Sequence, residues 1–100
     1  MADLTRKELL IALISAGPHP RLRRLDLNGL DLRGLSLDGA DLTGVKLQNS
    51  DLSGAHLKGA VLAHAQCENT NFDKADLTGV DWTGATIGGA SFNEAIGYEA

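Results

Sequence analysis

Three histidines, one cysteine and thirteen carboxylates are the groups of this 100-residue chain with chemistry to offer. Converging histidines could bind a metal ion. A thiolate at Cys67 could act as a nucleophile, and two carboxylates brought together could run general acid-base chemistry. Twelve glycines suggest many tight turns, and they form no Walker-type phosphate loop. His19 sits in a Pro-His-Pro segment, away from His56 and His64. Whether any of these groups meet depends on the elements that carry them.

Those elements follow a five-residue repeat. Stepping by five from Leu27 gives Leu32, Leu37, Leu42, Leu47, Leu52, Leu57, Leu62, Cys67, Phe72, Leu77, Trp82, Ile87 and Phe92, all apolar. Two residues ahead of each stands a second register, which from Ala40 onward is only Ala, Val, Ser or Thr. Glycine closes nine of the units and Asn49 and Asn69 close two more. On an α-helix a five-residue step rotates by roughly 140°, which would scatter the leucines around the surface. A flat strand fails as well, because an odd period sends successive leucines to opposite faces. A chain that turns a corner every five residues satisfies both registers, with Gly or Asn supplying the positive φ of a type II turn. His64, Lys74 and Glu94 occupy corners without such a residue, so a different turn is expected at those three.

Ala40-Asp41-Leu42-Thr43-Gly44 and Ala75-Asp76-Leu77-Thr78-Gly79 are identical copies, and Ser50-Asp51-Leu52-Ser53-Gly54 follows closely. The chain resembles the pentapeptide-repeat family over residues 25–94. The resemblance implies an all-β solenoid, a right-handed quadrilateral parallel β-helix with four units per coil, here about 3.5 coils. Residues twenty apart would then be vertical neighbours, and the shaft would hold Leu27, Leu32, Leu37, Leu42, Leu47, Leu52, Leu57, Leu62, Cys67, Phe72, Leu77 and Ile87. In that scheme Cys67 is a small buried hydrophobe rather than a reactive thiol. Trp82 is large for its slot and must swell the last coil or turn outward. Asp38 falls under Lys58, Lys74 under Glu94 and His56 under Asp76. Asp31 under Asp51 is a like-charged pair expected to raise one carboxyl pKa. A flat solenoid face offers no cleft, His56 and His64 lie on different sides, and Ala63 interrupts a threonine row between Thr43 and Thr83. No catalytic residue, metal site or cofactor is expected.

The ends read differently. Thr5 and Glu8 form a capping box, and Leu9, Leu10, Leu13 and Ile14 continue an amphipathic helix that Gly17-Pro18 stops. The sequence therefore predicts an N-terminal α-helical cap and linker over 1–19 and the β-helix over 20–100, with 20–24 as an irregular partial unit. The apolar run is far short of the roughly 20 residues that span a bilayer, and Asp3 and Glu8 argue against a signal peptide. With one cysteine and no such segment, the expected compartment is the cytoplasm. Trp82, Phe92, Ile96 and Tyr98 gather at a C-terminal end too short for a second helix. They either close the last coil or form an interface to an unidentified protein or to a second copy in a homodimer.

Charge is unevenly divided. Residues 1–24 carry five bases and two acids, a net +3, whereas 25–100 carry four bases and eleven acids, a net −7. The acidic body argues against direct nucleic-acid binding. These features point to a rigid, non-catalytic interaction or scaffold module. The alternative implied by the resemblance is a DNA mimic that binds a type II topoisomerase such as gyrase.

Overall fold

Every fifth residue from Arg21 to Asp76 forms a parallel bridge with the residue twenty positions further on, from Arg21 with Asp41 to Asp76 with Ile96. A computed structural model describes Thr5, Arg6, Glu8, Leu9 and residues 21–98 of the chain. The bridges set one coil at twenty residues, so 21–40, 41–60, 61–80 and 81–98 lie in successive layers. Each unit contributes three hydrogen bonds to this ladder. Leu42 N donates to Val61 O (2.8 Å), Gly44 N to Ala63 O (2.8 Å), and Val61 N back down to Ala40 O (2.9 Å). Within the unit Val45 N closes on Leu42 O at 3.1 Å, and Gly44 holds φ at +69°, the signature of a type II turn.

The turn does not change where glycine is missing. His64, Lys74 and Glu94 take φ of 60°, 61° and 58°, the same left-handed conformation as the glycine corners. The expectation of a different turn is therefore corrected, and the reason is the ladder. Only in this conformation does the corner N–H face the next layer, where His64 N meets Thr83 O (2.7 Å) and Lys74 N meets Asn93 O (2.9 Å). A left-handed L-residue costs about 1–2 kcal/mol, and the interlayer bonding on both sides of the corner outweighs it.

Residues 21–24 also depart from expectation. They form a regular unit, with Arg21 bridged to Asp41, Leu22 buried and Arg24 at φ 61°. Leu22 thus starts the column Leu22-Leu42-Leu62-Trp82, and the described solenoid runs to nearly four coils. Pro20, where later units have a small residue, hid this unit from the periodic pattern.

The shaft positions from Leu27 to Leu77 are all buried, with Cys67 and Phe72 fully enclosed. Ile87 is only half-buried, a departure from its expected place in the core, because no described coil lies above it. Among the small-residue columns, Ser50 and Thr70 are buried yet satisfied. Ser50 Oγ donates to Leu27 O (2.7 Å) and Thr70 Oγ1 to Leu47 O (2.6 Å).

The Asp or Asn that opens many units has its own role. Its side chain accepts the N–H two residues on, as Asp41 does from Thr43 (3.2 Å), Asp51 from Ser53 (3.0 Å) and Asn71 from Asp73 (2.9 Å). These short local bonds hold the chain at the entry to each corner.

At the N-terminus the capping box is formed. Thr5 N donates to Glu8 Oε1 (2.9 Å), Glu8 N donates to Thr5 Oγ1 (3.1 Å), and Leu9 is buried against the solenoid core. Leu10, Leu13 and Ile14 lie outside the described residues.

Replacing Lys74 with glycine should relieve the left-handed strain. Glycine's greater unfolded entropy offsets part of this, leaving a gain on the order of 0.5–1 kcal/mol, read as a rise in thermal midpoint. Gly84→Ala should do the opposite, because a methyl there meets the His64 ring and holds an L-residue at φ +69°.

The C-terminal end as candidate interaction surface

No described layer lies above the coil formed by residues 81–98. The N–H groups of Trp82, Gly84, Ile87, Gly89, Phe92 and Glu94 occupy positions that donate upward in every earlier coil, and none has a protein acceptor among the described residues. They ring a half-buried apolar mouth made by Trp82, Ile87 and Phe92. Such an edge is a template for further backbone pairing.

Aromatic stacking partly fills the mouth. Phe72 and Phe92 lie parallel with centroids 5.3 Å apart, and Tyr98 stacks on Phe92 at 3.8 Å. Trp82 stands edge-on to Phe72, Phe92 and Tyr98 at 5.5, 5.9 and 5.7 Å. The indole therefore packs into the mouth and does not turn outward. Gly97 makes the closure possible. Its φ is +77° and a Cβ there would strike the Thr78 backbone at 2.6 Å, so only glycine brings Tyr98 across the end. Ile96 stays outside this stack, 59% exposed. The four residues expected at this end thus divide, three forming one aromatic cluster and Ile96 standing apart on the surface.

The faces hold carboxylates that are paired locally rather than poised for chemistry. Asp31 does not have the raised pKa expected from a like-charged neighbour. Its carboxyl is held down to about 2, first by the side-chain hydrogen bonds from Arg33 (2.8 and 2.9 Å) and then by the Arg33 N–H. Arg33 Nε also lies 3.9 Å from Asp51, so one guanidinium serves both layers and removes the repulsion. Threonine hydroxyls lower Asp41, Asp76 and Asp81 in the same way, through Thr43, Thr78 and Thr83, with Arg23 adding to the effect at Asp41. Glu68 is lowered mainly by the Thr86 hydroxyl (2.7 Å). Burial pushes the Cys67 thiol up to about 12, which leaves it an unreactive core residue. Asp38 accepts from Lys58 N at 2.9 Å, a contact of the expected vertical pair through backbone rather than through charge.

No cluster of His, Cys, Asp or Glu among the described residues could hold a metal ion. No helix among them is long and apolar enough to cross a membrane. The sequence pattern missed the edge donors and the Gly97 turn. A glycine outside the five-residue register was the one available signal for the latter.

The family model described as pentapeptide repeats matches eight copies, over residues 21–59, 40–79 and 50–89. No curated protein matches the chain. Among solved structures, the chain is similar to a pentapeptide repeat protein involved in heterocyst differentiation regulation from the cyanobacterium Nostoc sp. strain PCC 7120. The two are 36% identical with a TM-score of 0.50, over 80% of this chain and 43% of that one. It is also similar to a pentapeptide repeat protein from the cyanobacterium Cyanothece 51142, at 29% identity and a TM-score of 0.46, over 76% of this chain and 59% of that one. The chain thus spans about half the length of these relatives. The likeness to the Nostoc structure carries the handedness, a right-handed quadrilateral β-helix.

The lowered carboxylates set an acid limit. Each contributes stability that is present above its unfolded pKa, about 4, and that is lost as pH falls through its depressed folded value. Thermal midpoints should be flat from neutrality to about pH 5 and fall between about pH 4 and pH 2. Asp31→Asn should make the low-pH part of that fall shallower.

Proposed function

Because the chain belongs to the pentapeptide-repeat family, we propose that it is a non-catalytic module, a rigid post whose C-terminal end engages another protein chain. Residues 1–19 serve as its N-terminal cap and the repeat from residue 20 onward as the post. Proteins of this family are generally structural repeat proteins without catalysis, and no convergent set of metal-binding side chains among the described residues argues otherwise. The observation that carries the reading is the coil 81–98, where six N–H donors without an acceptor among the described residues surround half-buried aromatic rings. An apolar centre within a polar rim is the anatomy of a protein contact. A second copy joined at this end, giving a homodimer, is the simplest such partner.

A second reading, a DNA mimic directed at a type II topoisomerase, draws on the carboxylates at Asp41, Asp76 and Asp81, which are held ionised on the outer faces. Arg6, Arg23 and Arg33 lie against Asp31 and Asp41 and weaken that resemblance to a uniformly charged duplex. A lack of any effect on gyrase supercoiling would dismiss it.

Size-exclusion chromatography with light scattering tests the association. The expected outcome is concentration-dependent dimer that Ile96→Lys weakens at least tenfold, about 1.4 kcal/mol, with the circular dichroism spectrum unchanged. A monomer at every concentration, insensitive to that substitution, would remove self-association from the proposal.

A further inference from the structure

Asn28-Gly29 and Asp38-Gly39 are the two places in the sequence where Asn or Asp precedes glycine, and both lie in the first coil. In such a pair the glycine nitrogen can attack the side-chain carbonyl carbon, because no Cβ on the second residue hinders its approach. At Asn28 the bond from Gly29 N to Cγ forms and the Cγ–Nδ2 bond breaks. The side-chain nitrogen leaves as ammonia, with the proton that the Gly29 amide gives up. Water then opens the five-membered imide at either carbonyl, yielding aspartate or isoaspartate. At Asp38 the same ring forms with loss of water and reopens with its return.

Exposure alone would leave the Asn28 pair reactive. Gly29 is exposed, and a Cβ built there meets nothing within 4 Å, so solvent has access to the corner. What holds the pair is the second coil. Gly29 N donates to Gln48 O (2.9 Å), while Gln48 N donates back to Asn28 Oδ1 (2.8 Å). Asn28 Nδ2, the group that would leave, donates to Gln48 Oε1 (3.2 Å). Asp38 repeats the arrangement, with Gly39 N on Lys58 O (2.9 Å) and Lys58 N on Asp38 Oδ1 (2.9 Å). A single residue of the next layer thus grips the attacking nitrogen through its carbonyl and the attacked group through its N–H. The ring cannot close until the layers part at that corner.

The products do not fit back equally. Isoaspartate routes the main chain through the side-chain methylene and adds one backbone atom to the unit, which breaks the register of the ladder. Aspartate at position 28 keeps an acceptor for Gln48 N, as Asp38 does for Lys58, but sets a carboxylate against Gln48 Oε1 in place of a donor.

We propose that Asn28-Gly29 is a latent deamidation site held shut by the second coil, with Asp38-Gly39 as a matching isomerisation site, so that parting of the first two coils is recorded as a permanent chemical change. This goes beyond the proposed contact at the C-terminal end and does not depend on it.

The experiment holds the full chain at mildly alkaline pH, folded in buffer and unfolded in urea. Peptide mapping by mass spectrometry reads amide-to-acid conversion at Asn28 and isoaspartate at both positions. The folded chain should convert Asn28 at least tenfold more slowly than the unfolded one. Amide hydrogen exchange at Gly29 is measured alongside, because exchange and ring closure require release of the same N–H. The slowing of conversion should match the protection of that N–H to within a few-fold. Leu22→Ala, which truncates a buried leucine of the first coil, should speed both processes in proportion. Should that variant unfold, urea below the unfolding midpoint supplies the same comparison in the parent chain. The proposal is overturned if Asn28 converts as fast in the folded chain as in urea, or if conversion stays constant while Gly29 exchange accelerates.

Discussion

The whole structure depends on one backbone requirement: at every fifth residue the chain must enter the left-handed region so that its N–H can reach the layer above. Four such corners return the chain to its starting side after twenty residues, and the interlayer bonds follow from that closure. The strength of the requirement is visible at His64, Lys74 and Glu94, which adopt φ near 60° although their side chains disfavour it. No single corner can relax without detaching its N–H from the coil above and its carbonyl-bearing neighbours from the coil below. Glycine is common at these positions because it fits there without strain. The fold tolerates its absence because the ladder is cooperative.

Around that ladder the side chains divide the remaining work. Leucines from successive layers fill the shaft, and the small residues beside them let the backbone come close. Where a hydroxyl replaces alanine, as at Ser50 and Thr70, it finds a carbonyl inside the wall and costs little. Outside, an Asp or Asn ahead of the corner ties down the N–H two residues later, and at Asp31, Asp41, Asp76 and Asp81 neighbouring donors keep the carboxylate ionised. The aspartates beside the corners are therefore accounted for largely by corner chemistry. A face of this kind, flat and locally satisfied, has little with which to bind or react.

The ends are where the ladder is broken and where unsatisfied groups collect. At the first coil a guanidinium supplies two missing donors, and at the last a tyrosine folded over by Gly97 covers part of the apolar mouth. The donors around that mouth have no acceptor among the described residues.

The five-residue register of apolar, small and glycine residues was enough by itself to place a corner every five residues and to pick out the shaft from Leu27 to Leu77, whereas four units to a coil came only from the family resemblance. It could do so because each unit repeats the same local demand. What it could not determine lies where the repetition stops or where neighbours twenty residues apart negotiate. Leu22 was hidden behind Pro20, and the Asp31–Asp51 pair looked repulsive until Arg33 was seen to bridge it. The turn at Lys74 looked exceptional because a local rule of residue preference was set against a ladder that only the stacked coils create. Trp82 could be placed only once Phe72, Phe92 and Tyr98 had assembled around it, since the room for an indole is a property of the last two coils together. Local preference is written along the chain, whereas the balance between strain and interlayer bonding exists only after the layers have met.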